Sequence, residues 1–350
     1  MGEENYPPKG TVLSATDSVS IRLAGSIIRT GGLVAFPTET VYGLGCDAMN
    51  PVAAAKVFEA KQRPQFDPLI VHIADRSQLD AVVTSQPPLA QKLMDAFWPG
   101  PLTIILPKQS VIPDLVTAGL PTVAVRMPSH PVAQALIREA GTPIAAPSAN
   151  PFGYVSPTTA QHVSDGLGSK VDLILDGGPC SVGVESTVVS LIDTQPELLR
   201  PGNITLEQLT AIIGPVRCGA SDHDQPIAPG QLTRHYATLT PLTMLTSAGT
   251  QAVPTSDERA GLLLISQSNV NADRFTAVEV LSPNGDLREA ARNLFAALRR
   301  LDALHLDRIY AEPCKEVGLG MAIMDRLRRC ATSLPPAQRG TSNPHRLAAP

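Results

Sequence analysis

Residues 33–45, LVAFPTETVYGLG, join a short apolar run to a run rich in hydroxyl and glycine residues. The first four residues are an apolar run short enough to form a buried strand. The hydroxyl-bearing and glycine residues that follow, FPTETVYGLG (36–45), begin where that strand ends. Open α/β sheets bind ligands beyond the carboxyl ends of their strands. The stretch therefore predicts a buried strand that leads into a binding loop, although a plain turn with capping threonines gives the same pattern.

Apolar runs of the same kind recur through residues 1–214, and helical patterns separate them. The runs lie at 69–74, 103–106, 123–127, 143–146, 172–176 and 186–192. The helical patterns lie at 17–30, 51–61, 131–141 and 205–214. Asn50 and Pro51 are a favourable N-cap and first-turn pair for the second of these helices. Strands and helices that alternate at this spacing predict an α/β sheet.

The pattern is interrupted after residue 214 and then resumes. Residues 215–239 carry turn formers without an apolar period, so we expect a linker there. Residues 240–335 alternate strands and helices again, which predicts a smaller C-terminal α/β domain. Residues 336–350 are expected to form a disordered tail.

The composition excludes several classes of protein. The 350 residues carry 28 Lys and Arg against 32 Asp and Glu, a net charge of −4 that does not fit a strongly basic nucleic-acid coat. No run approaches the roughly 18 apolar residues of a membrane helix. The N-terminus lacks a basic-then-apolar secretion signal. The five cysteines are scattered and form no CxxC pair, so we expect a reduced, cytoplasmic protein without a thiolate metal site.

Two cations, Lys61 and Arg63, lie at the C-terminal end of the helix over 51–61, and Pro64 follows them. Cations at a helix C-terminus commonly interact with the helix dipole. They could equally form a fixed clamp for a polyanion, because guanidinium offers a planar fork and ammonium a point charge.

His72 and Arg126 each interrupt an apolar strand. A cation on a buried strand is costly unless it meets an anion. For Arg126 that anion could be a ligand or a structural acid such as Asp176. His72 could be a ligand-binding residue or a hydrogen-bonded core residue, so both interpretations stay open.

Further polar side chains stand at or beside strand ends, where they can converge on one cavity. They are Ser148, Asn150, Ser156, Glu185, Ser186, Thr187 and Arg200. A basic cavity within an acidic domain would be a focused anion site. The sequence has no Walker loop, GxGxxG fingerprint or HExxH motif, so any phosphates would be held by side chains and loop amides.

A series of motifs in chain order resembles the YrdC-like family: FPTETVYGLG, KQRPQFDPLIVHI, WPGPLTIIL, TVAVRMPSHP, PIAAPSAN, GVEST and LLRPG. With APGQLTRHYA (228–237) and the second α/β block, the chain resembles the longer, two-domain form of that family. The resemblance implies a twisted mixed sheet with helices around a concave basic cavity. It also implies a smaller, Rossmann-like C-terminal domain.

The activity that the resemblance implies is a nucleotidyltransferase reaction. L-threonine, bicarbonate and ATP would give L-threonylcarbamoyladenylate, diphosphate and water, with Mg²⁺ expected beside ATP. A partner transferase would then use the product to form t6A at adenosine 37 of ANN-decoding tRNAs. Direct contact with tRNA stays open, and no membrane partner is expected.

The resemblance also implies which residues form the site. The threonine pocket would comprise Thr40, His72, Arg126, the Ala146 backbone and Ser186. The ATP side would comprise Lys61, Arg63, Asp67, Thr122, Ser148, Asn150, Ser156, Arg200 and Tyr236, with Lys61 and Arg63 as the catalytic pair. No side chain is implied as a metal ligand.

The linker could close over the nucleotide as a lid through His235 and Tyr236. Its sequence QLTRHYATLTP departs from the family pattern, which more often has a lysine before the His-Tyr pair and a proline two residues after it.

Two other functions share parts of this pattern. An RNA-binding module could use the basic concave face without any adenylation chemistry, although aromatic residues for base stacking make up only 4% of the chain. YrdC-like domains also occur in hydrogenase-maturation proteins. Those proteins carry zinc-finger cysteine pairs and an acylphosphatase unit, which this sequence lacks.

Overall fold

The computed structural model describes residues 7–218, 227–231, 236–245, 254–255, 257–267 and 272–331. The expected disordered tail, His235 and parts of the expected linker lie outside these residues. Among the described residues, no helix is both long enough and apolar enough to span a membrane.

Among the described residues, the larger sheet has eleven strands and mixes parallel and antiparallel pairs. The strands are β1 (Thr11–Ser14), β2 (Val34–Pro37), β3 (Tyr42–Asp47), β4 (Ile70–His72), β5 (Leu102–Pro107), β6 (Thr122–Arg126), β7 (Ile144–Ala145), β8 (Leu173–Asp176), β9 (Thr187–Ser190), β10 (Glu197–Arg200) and β11 (Arg217–Cys218). Their order is β1-β8-β2-β3-β7-β4-β6-β5-β9-β10-β11. Because β11 pairs with β10, this sheet extends past residue 214 into the segment expected to be a linker.

In the part of the C-terminal domain that the structure describes, the smaller sheet has four parallel strands in the order β12-β15-β13-β14. The strands are β12 (Leu242–Met244), β13 (Ala260–Leu264), β14 (Ala277–Val280) and β15 (Arg308–Ala311). The helices of the described chain are α1 (Ser18–Arg29), α2 (Pro51–Lys61), α3 (Pro88–Phe97), α4 (Asp114–Thr117), α5 (Pro131–Ala140), α6 (Ala160–Gly166), α7 (Leu206–Ile213), α8 (Leu287–Asp302) and α9 (Leu319–Cys330). The expected fold class, a mixed sheet with a smaller α/β domain, is confirmed.

The hairpin of β2 and β3 corrects the expectation that residues 36–45 form a loop. β3 pairs antiparallel with β2 in the register Pro37↔Tyr42. The Thr38 hydroxyl closes the turn, because it donates to the Val41 carbonyl and accepts from the backbone N–H groups of Thr40 and Val41. Only residues 38–41 are therefore free to act as the binding turn.

Residues at the two ends of helix α2 fix where the helix begins and ends, and so where Lys61 and Arg63 lie. The Asn50 side chain accepts hydrogen bonds from the backbone N–H groups of Val52 and Ala53, which satisfies two donors at the helix start. The helix ends at Gln62, which has a left-handed backbone with φ 54°. That reversal turns Arg63 back under the helix, and its side chain is buried.

The two domains share one hydrophobic cluster at their boundary. Tyr236 and Val184 belong to the same buried cluster as Phe295 of α8. Tyr154 of the first domain donates a 2.7 Å hydrogen bond to Asp302 at the end of α8. Gly183, at φ +81°, approaches α8 so closely that an added Cβ would lie 2.4 Å from the Cα of Arg292. The C-terminal domain is therefore packed directly against the loops that follow the strands of the larger sheet.

Candidate active site

A small cavity opens at the strand ends where the predicted site residues meet. Its lining comprises Thr38, Thr40, Val41, Gly43, Arg63, Ile70, His72, Arg126, Ala146, Pro147, Ser148, Glu185, Ser186, Arg200 and Pro229. The volume is about 40 Å³, which is room for a few waters. Arg63, Arg126 and Ser148 come from separate segments and line the same cavity, as the sequence analysis expects.

The sheet register places His72 beside Arg126. β4 and β6 are parallel neighbours with His72 opposite Arg126, and β7 brings Ile144 opposite His72 on the other side. The peptide that follows β7 then carries Ala146 and Ser148 to the cavity. Three adjacent strands thus fix one wall of the site.

Arg126 is buried and meets a carboxylate that the sequence analysis did not assign. Its Nη2 lies 2.6 Å from Glu39 Oε1, and its Nη1 donates to Thr40 Oγ1 at 2.9 Å. Both partners belong to the turn between β2 and β3. The structural acid is therefore Glu39, whereas Asp176, which the sequence analysis considered, is not its ion-pair partner.

His72 is a neutral side chain in this environment. Its Nδ1 lies 3.1 Å from the Ile70 carbonyl oxygen, and its ring meets Phe36 edge to face. Burial, together with the nearby Arg126 charge, lowers the pKa of His72 to about 3. Near neutral pH it can shape the pocket and form hydrogen bonds, but it brings no positive charge.

Arg63 forms a second buried ion pair at the other end of the cavity. Its Nη2 lies 2.8 Å from Asp67 Oδ1, and its Nε and Nη2 also donate to the Asp67 and Pro68 carbonyls. Asp67 is fully buried and does not line the cavity itself. It orients the guanidinium, which does.

Lys61 lies behind the cavity wall. Its Nζ donates to the Ser148 carbonyl at 2.5 Å and to the Asn150 carbonyl. Burial first, and then the Arg63 charge, lower the pKa of Lys61 well below its ordinary value. The lysine thus ties α2 to the loop that carries Ser148 and Asn150.

Arg200 closes the cavity from the β10 side. Its Nε and Nη2 donate to the carbonyl and hydroxyl oxygens of Ser186, each at 3.0 Å, and its Nη1 donates to the Pro229 carbonyl at 3.1 Å. Among the described residues, no carboxylate lies within ion-pair distance of Arg200. This guanidinium is held by neutral acceptors and keeps its charge available to an anion.

The remaining predicted nucleotide residues surround the cavity without lining it. Ser156 is buried and donates its hydroxyl to Glu185. The Asn150 amide donates to the Pro151 and Tyr154 carbonyls at 2.8 Å. Tyr236 is buried against Phe295, with ring centroids 5.6 Å apart. Thr122 stands apart, because it begins β6 while the cavity lies at the far end of that strand.

A larger cleft of about 900 Å³ lies elsewhere, between α6, α8 and residues 151–154. Among the residues that line this cleft in the described structure, Lys61 is the one that the sequence predicted as a site residue. Size alone would select this cleft, but the converging cations and hydroxyls select the small cavity. The described residues contain no group of three or more His, Cys, Asp or Glu side chains placed to hold a metal ion.

Sequence reasoning missed three charged residues of this region. Glu39 lies within the motif PTET at a strand end, and this position could have indicated that Glu39 belongs to the site. Glu185 was noted at a strand mouth but received no role. Arg326 lies in α9, far along the chain, and nothing in its local sequence indicated that it is buried beside Glu185.

Two family models together match most of the chain. The Sua5/YciO/YrdC family model, described as "Telomere recombination", matches residues 26–202. The model for the threonylcarbamoyl-AMP synthase C-terminal domain matches residues 204–332.

Two full-length relatives are named threonylcarbamoyl-AMP synthase. The Bacillus subtilis protein is 46% identical over 91% of this chain and 94% of its own length. The Pyrococcus abyssi protein is 43% identical over 89% of this chain and 94% of its own length. A crystal structure of P. abyssi Sua5 complexed with L-threonine superposes with a TM-score of 0.81, at 43% identity and the same coverage of both chains. The chain belongs to the Sua5/YciO/YrdC family, in its two-domain form with the threonylcarbamoyl-AMP synthase C-terminal domain.

Proposed function

We propose that this chain is a threonylcarbamoyl-AMP synthase, which joins L-threonine, bicarbonate and ATP into L-threonylcarbamoyladenylate. The observation that carries the proposal is the convergence of Arg63, Arg126 and Arg200 on one cavity with the hydroxyls of Thr40 and Ser186. A site for an amino acid and a nucleotide needs separate anion anchors for a carboxylate and for phosphates. The cavity offers both within one enclosed space.

The threonine end of the site is the Arg126 end. The guanidinium can take an amino-acid carboxylate in a bidentate contact, with the Thr40 hydroxyl beside it. Neutral His72 and the Ala146 backbone bound the pocket, and Ser186 separates this end from Arg200. Because His72 is uncharged, Arg126 is the charge that recognises the carboxylate.

The nucleotide end is the Arg63 and Arg200 end. Both guanidiniums are buried, where their interaction with phosphate is screened less than in water. Ser148, Ser156 and Asn150 would bind the nucleotide beside them, with Asp67 orienting Arg63 and Lys61 fixing the Ser148 loop. Thr122 and Tyr236 remain predicted nucleotide contacts.

The reaction balances as two steps. The neutral amine of threonine attacks the carbon of bicarbonate, a C–N bond forms, and water leaves to give a carbamate. A carbamate oxygen then attacks the α-phosphorus of ATP, a P–O bond forms, and the bond to the departing diphosphate breaks. Both reactants of the second step are anions, so Arg63 and Arg200 lower their repulsion. Alignment in one cavity can contribute about 7–11 kcal/mol to lowering the barrier.

Mg²⁺ is the expected companion of the triphosphate. When bound, it would neutralise phosphate charge. The carboxylates nearest the cavity, Glu39, Asp67 and Glu185, are each paired with an arginine. The described residues therefore provide no ready cage for the metal, and we assign no protein ligand and no step to it.

The segment over 227–231 has the position of a lid. Pro229 lines the cavity and accepts a hydrogen bond from Arg200. Movement of this segment would therefore widen the cavity for a nucleotide. Closure behind the substrates would exclude water, which matters because the product is a mixed anhydride that water hydrolyses.

The product defines the downstream partner. An acyl-adenylate of this kind is consumed by a transferase that moves its threonylcarbamoyl group to a nucleophile, here the adenosine 37 amine of ANN-decoding tRNAs. Such a role fits a cytoplasmic nucleotidyltransferase whose cysteines are in the reduced, thiol state.

Diphosphate release from ATP tests the proposal. Release should require L-threonine and bicarbonate together, and omission of either should reduce it to background. A product with the mass of threonylcarbamoyladenylate should appear in step with diphosphate. ATP turnover that is indifferent to threonine would refute the function. Tight RNA binding without any threonine-dependent turnover would instead support the RNA-binding alternative.

A further inference from the structure

Helix α9 of the C-terminal domain places a completely buried arginine beside the active site. The side chain of Arg326 has no exposed surface. Arginine is almost never fully buried unless its charge and donors are paired. Its partners therefore indicate what the residue holds in place.

The guanidinium of Arg326 contacts two loops of the first domain. Its Nε lies 3.2 Å from Glu185 Oε2, and its Nη1 donates to the Pro201 carbonyl at 2.6 Å. Its own neighbour Asp325 lies 2.9 Å from Nη1 and balances part of the charge. Pro201 directly follows Arg200, so one side chain of α9 supports the loops of two cavity residues, Glu185 and Arg200.

Glu185 connects Arg326 to the nucleotide side of the cavity. One of its carboxylate oxygens pairs with Arg326, and the other accepts the Ser156 hydroxyl. Glu185 itself lines the cavity. The chain Arg326–Glu185–Ser156 thus links the C-terminal domain to a predicted nucleotide residue.

The linker is held by the same helix. The Arg326 guanidinium lies 5.2 Å from the centre of the Tyr236 ring, which also stacks on Phe295 of α8. Arg329, one turn further along α9, donates to the Gln231 carbonyl at 3.1 Å. Helix α9 therefore contacts the linker at Gln231 and again at Tyr236.

We propose that Arg326 is a positioning residue for the ATP half of the active site, and that supplying it is a function of the C-terminal domain. It fixes Glu185, the peptide after Arg200 and the Tyr236 ring in one arrangement. The inference rests on the proposed function, because it concerns ATP binding for that reaction. A guanidinium suits this task, since its planar fork can serve several acceptors while its face meets an aromatic ring. Stability alone would be served as well by apolar residues, because a buried ion pair seldom contributes net stability.

The test is a comparison of ATP and threonine binding in Arg326→Gln. We expect the dissociation constant of α,β-methylene-ATP, whose α–β linkage cannot be cleaved, to rise about tenfold or more, the equivalent of about 1.4 kcal/mol. The KM for L-threonine should change by less than about threefold, because Arg326 pairs with Glu185, Asp325 and the Pro201 carbonyl rather than with Arg126 or Thr40. A merely structural role would lower the active fraction and kcat while leaving both affinities unchanged, and that result would overturn the inference.

Arg328→Gln is the matched control, since Arg328 lies two residues along the same helix and pairs with Glu316 on the surface. It should bind the ATP analogue as the parent protein does. If Arg326→Gln fails to fold, Arg326→Lys retains the charge but cannot serve Glu185 and Pro201 together. A selective loss of ATP-analogue affinity in the lysine variant supports the inference, and parent-like affinity overturns it.

A second comparison isolates the link through Glu185. Glu185→Gln should also weaken ATP-analogue binding. The double variant Glu185→Gln/Arg326→Gln should weaken it by less than the sum of the effects of the two single variants, because the two residues act as one unit. Strictly additive effects would overturn the link. Failure of the proposed function is distinguishable, since it would appear in the parent protein as diphosphate release that does not need threonine.

Discussion

Glu39 and Arg126 form a buried ion pair, with 2.6 Å between Oε1 and Nη2, at the end of the cavity that we assign to threonine. The second oxygen of Glu39 accepts the backbone N–H of Ser129 at 3.2 Å, so the carboxylate is held from both sides. Arg126 therefore keeps a fixed orientation when no substrate carboxylate is bound. Arg126 is thus both the structural partner of Glu39 and the group that we propose binds the threonine carboxylate.

Loss of Arg126 should consequently damage stability and binding together. In Arg126→Ala we expect Glu39 to become an unpaired buried charge that destabilises the fold by about 3–5 kcal/mol. The KM for L-threonine should rise more than the KM for ATP, because a charge-assisted contact of about 1.5–3 kcal/mol is lost. Chemical denaturation and initial-rate kinetics measure the two effects.

The double variant Glu39→Gln/Arg126→Met separates those effects. It contains no unpaired buried charge, so it should regain much of the lost stability while keeping the weak threonine binding. A folded double variant with a parental threonine KM would remove Arg126 from the carboxylate site.

His72 gives a prediction about acid stability. The unfolded chain binds a proton at His72 below about pH 6.5, whereas the folded protein leaves it neutral down to about pH 3. The unfolded state thus binds more protons between those values, and stability falls as the pH falls through that window. In His72→Gln the loss of stability between pH 7 and pH 5 should be smaller than in the parent protein.

Thermal unfolding at the two pH values measures this difference. His305→Asn, a change at an exposed histidine, is the control for the loss of a histidine. An acid sensitivity equal to that of the parent in His72→Gln would show that the charge on His72 is not excluded by the fold.

Gly230 gives a prediction about the lid segment. At φ +88°, an added Cβ would lie 3.0 Å from the Tyr236 hydroxyl oxygen and 3.1 Å from Arg200 Cδ. Gly230→Ala should therefore displace two predicted nucleotide residues and raise the KM for ATP. Gly119→Ala is matched in backbone strain, with φ +78°, but has no neighbour within 4 Å of the added Cβ. Equal effects of the two substitutions on KM would mean that backbone strain alone is responsible.

Lys61 should matter through the loop that it holds. Lys61→Met leaves the Ser148 and Asn150 carbonyls without their donor, so we expect diphosphate release to fall by about tenfold or more, since a hydrogen bond to a charged group contributes about 1.5–3 kcal/mol. Lys56→Met is the control, because Lys56 lies on the same helix and donates to the Gly31 carbonyl at 2.7 Å, away from the cavity. Rates that fall equally in both variants would argue against a specific role for Lys61.

The hydrophobic pattern of the sequence predicted most strands of the larger sheet and most of the helices around it. Each predicted strand is a buried apolar run bounded by turn residues. The pattern missed β1, β10 and β11, and it also failed at β3, whose glycines at 43 and 45 are typical of a loop. The packing explains them: a Cβ at Gly45 would lie 2.8 Å from Ile144 Cγ2 and from the Phe36 ring. Close approach between strands cannot be inferred from one strand's own sequence.

The site was predictable where it follows strand ends and unpredictable where it depends on the second domain. His72 and Arg126 disturb the apolar pattern of their strands, so each is visible in the sequence. Arg326 lies among charged residues of an amphipathic helix, where an arginine normally faces water. Only the packing of α9 against the first domain buries it.

The contact between Gly183 and Arg292 has an evolutionary consequence. Gly183 lies against the backbone of Arg292, whose side chain is half exposed and pairs with Glu289 of the same helix, so the close approach depends on the glycine rather than on that side chain. Selection can therefore let residue 292 drift while it retains glycine at 183. A saturation library scored by cell growth should accept many amino acids at the first position and almost none at the second.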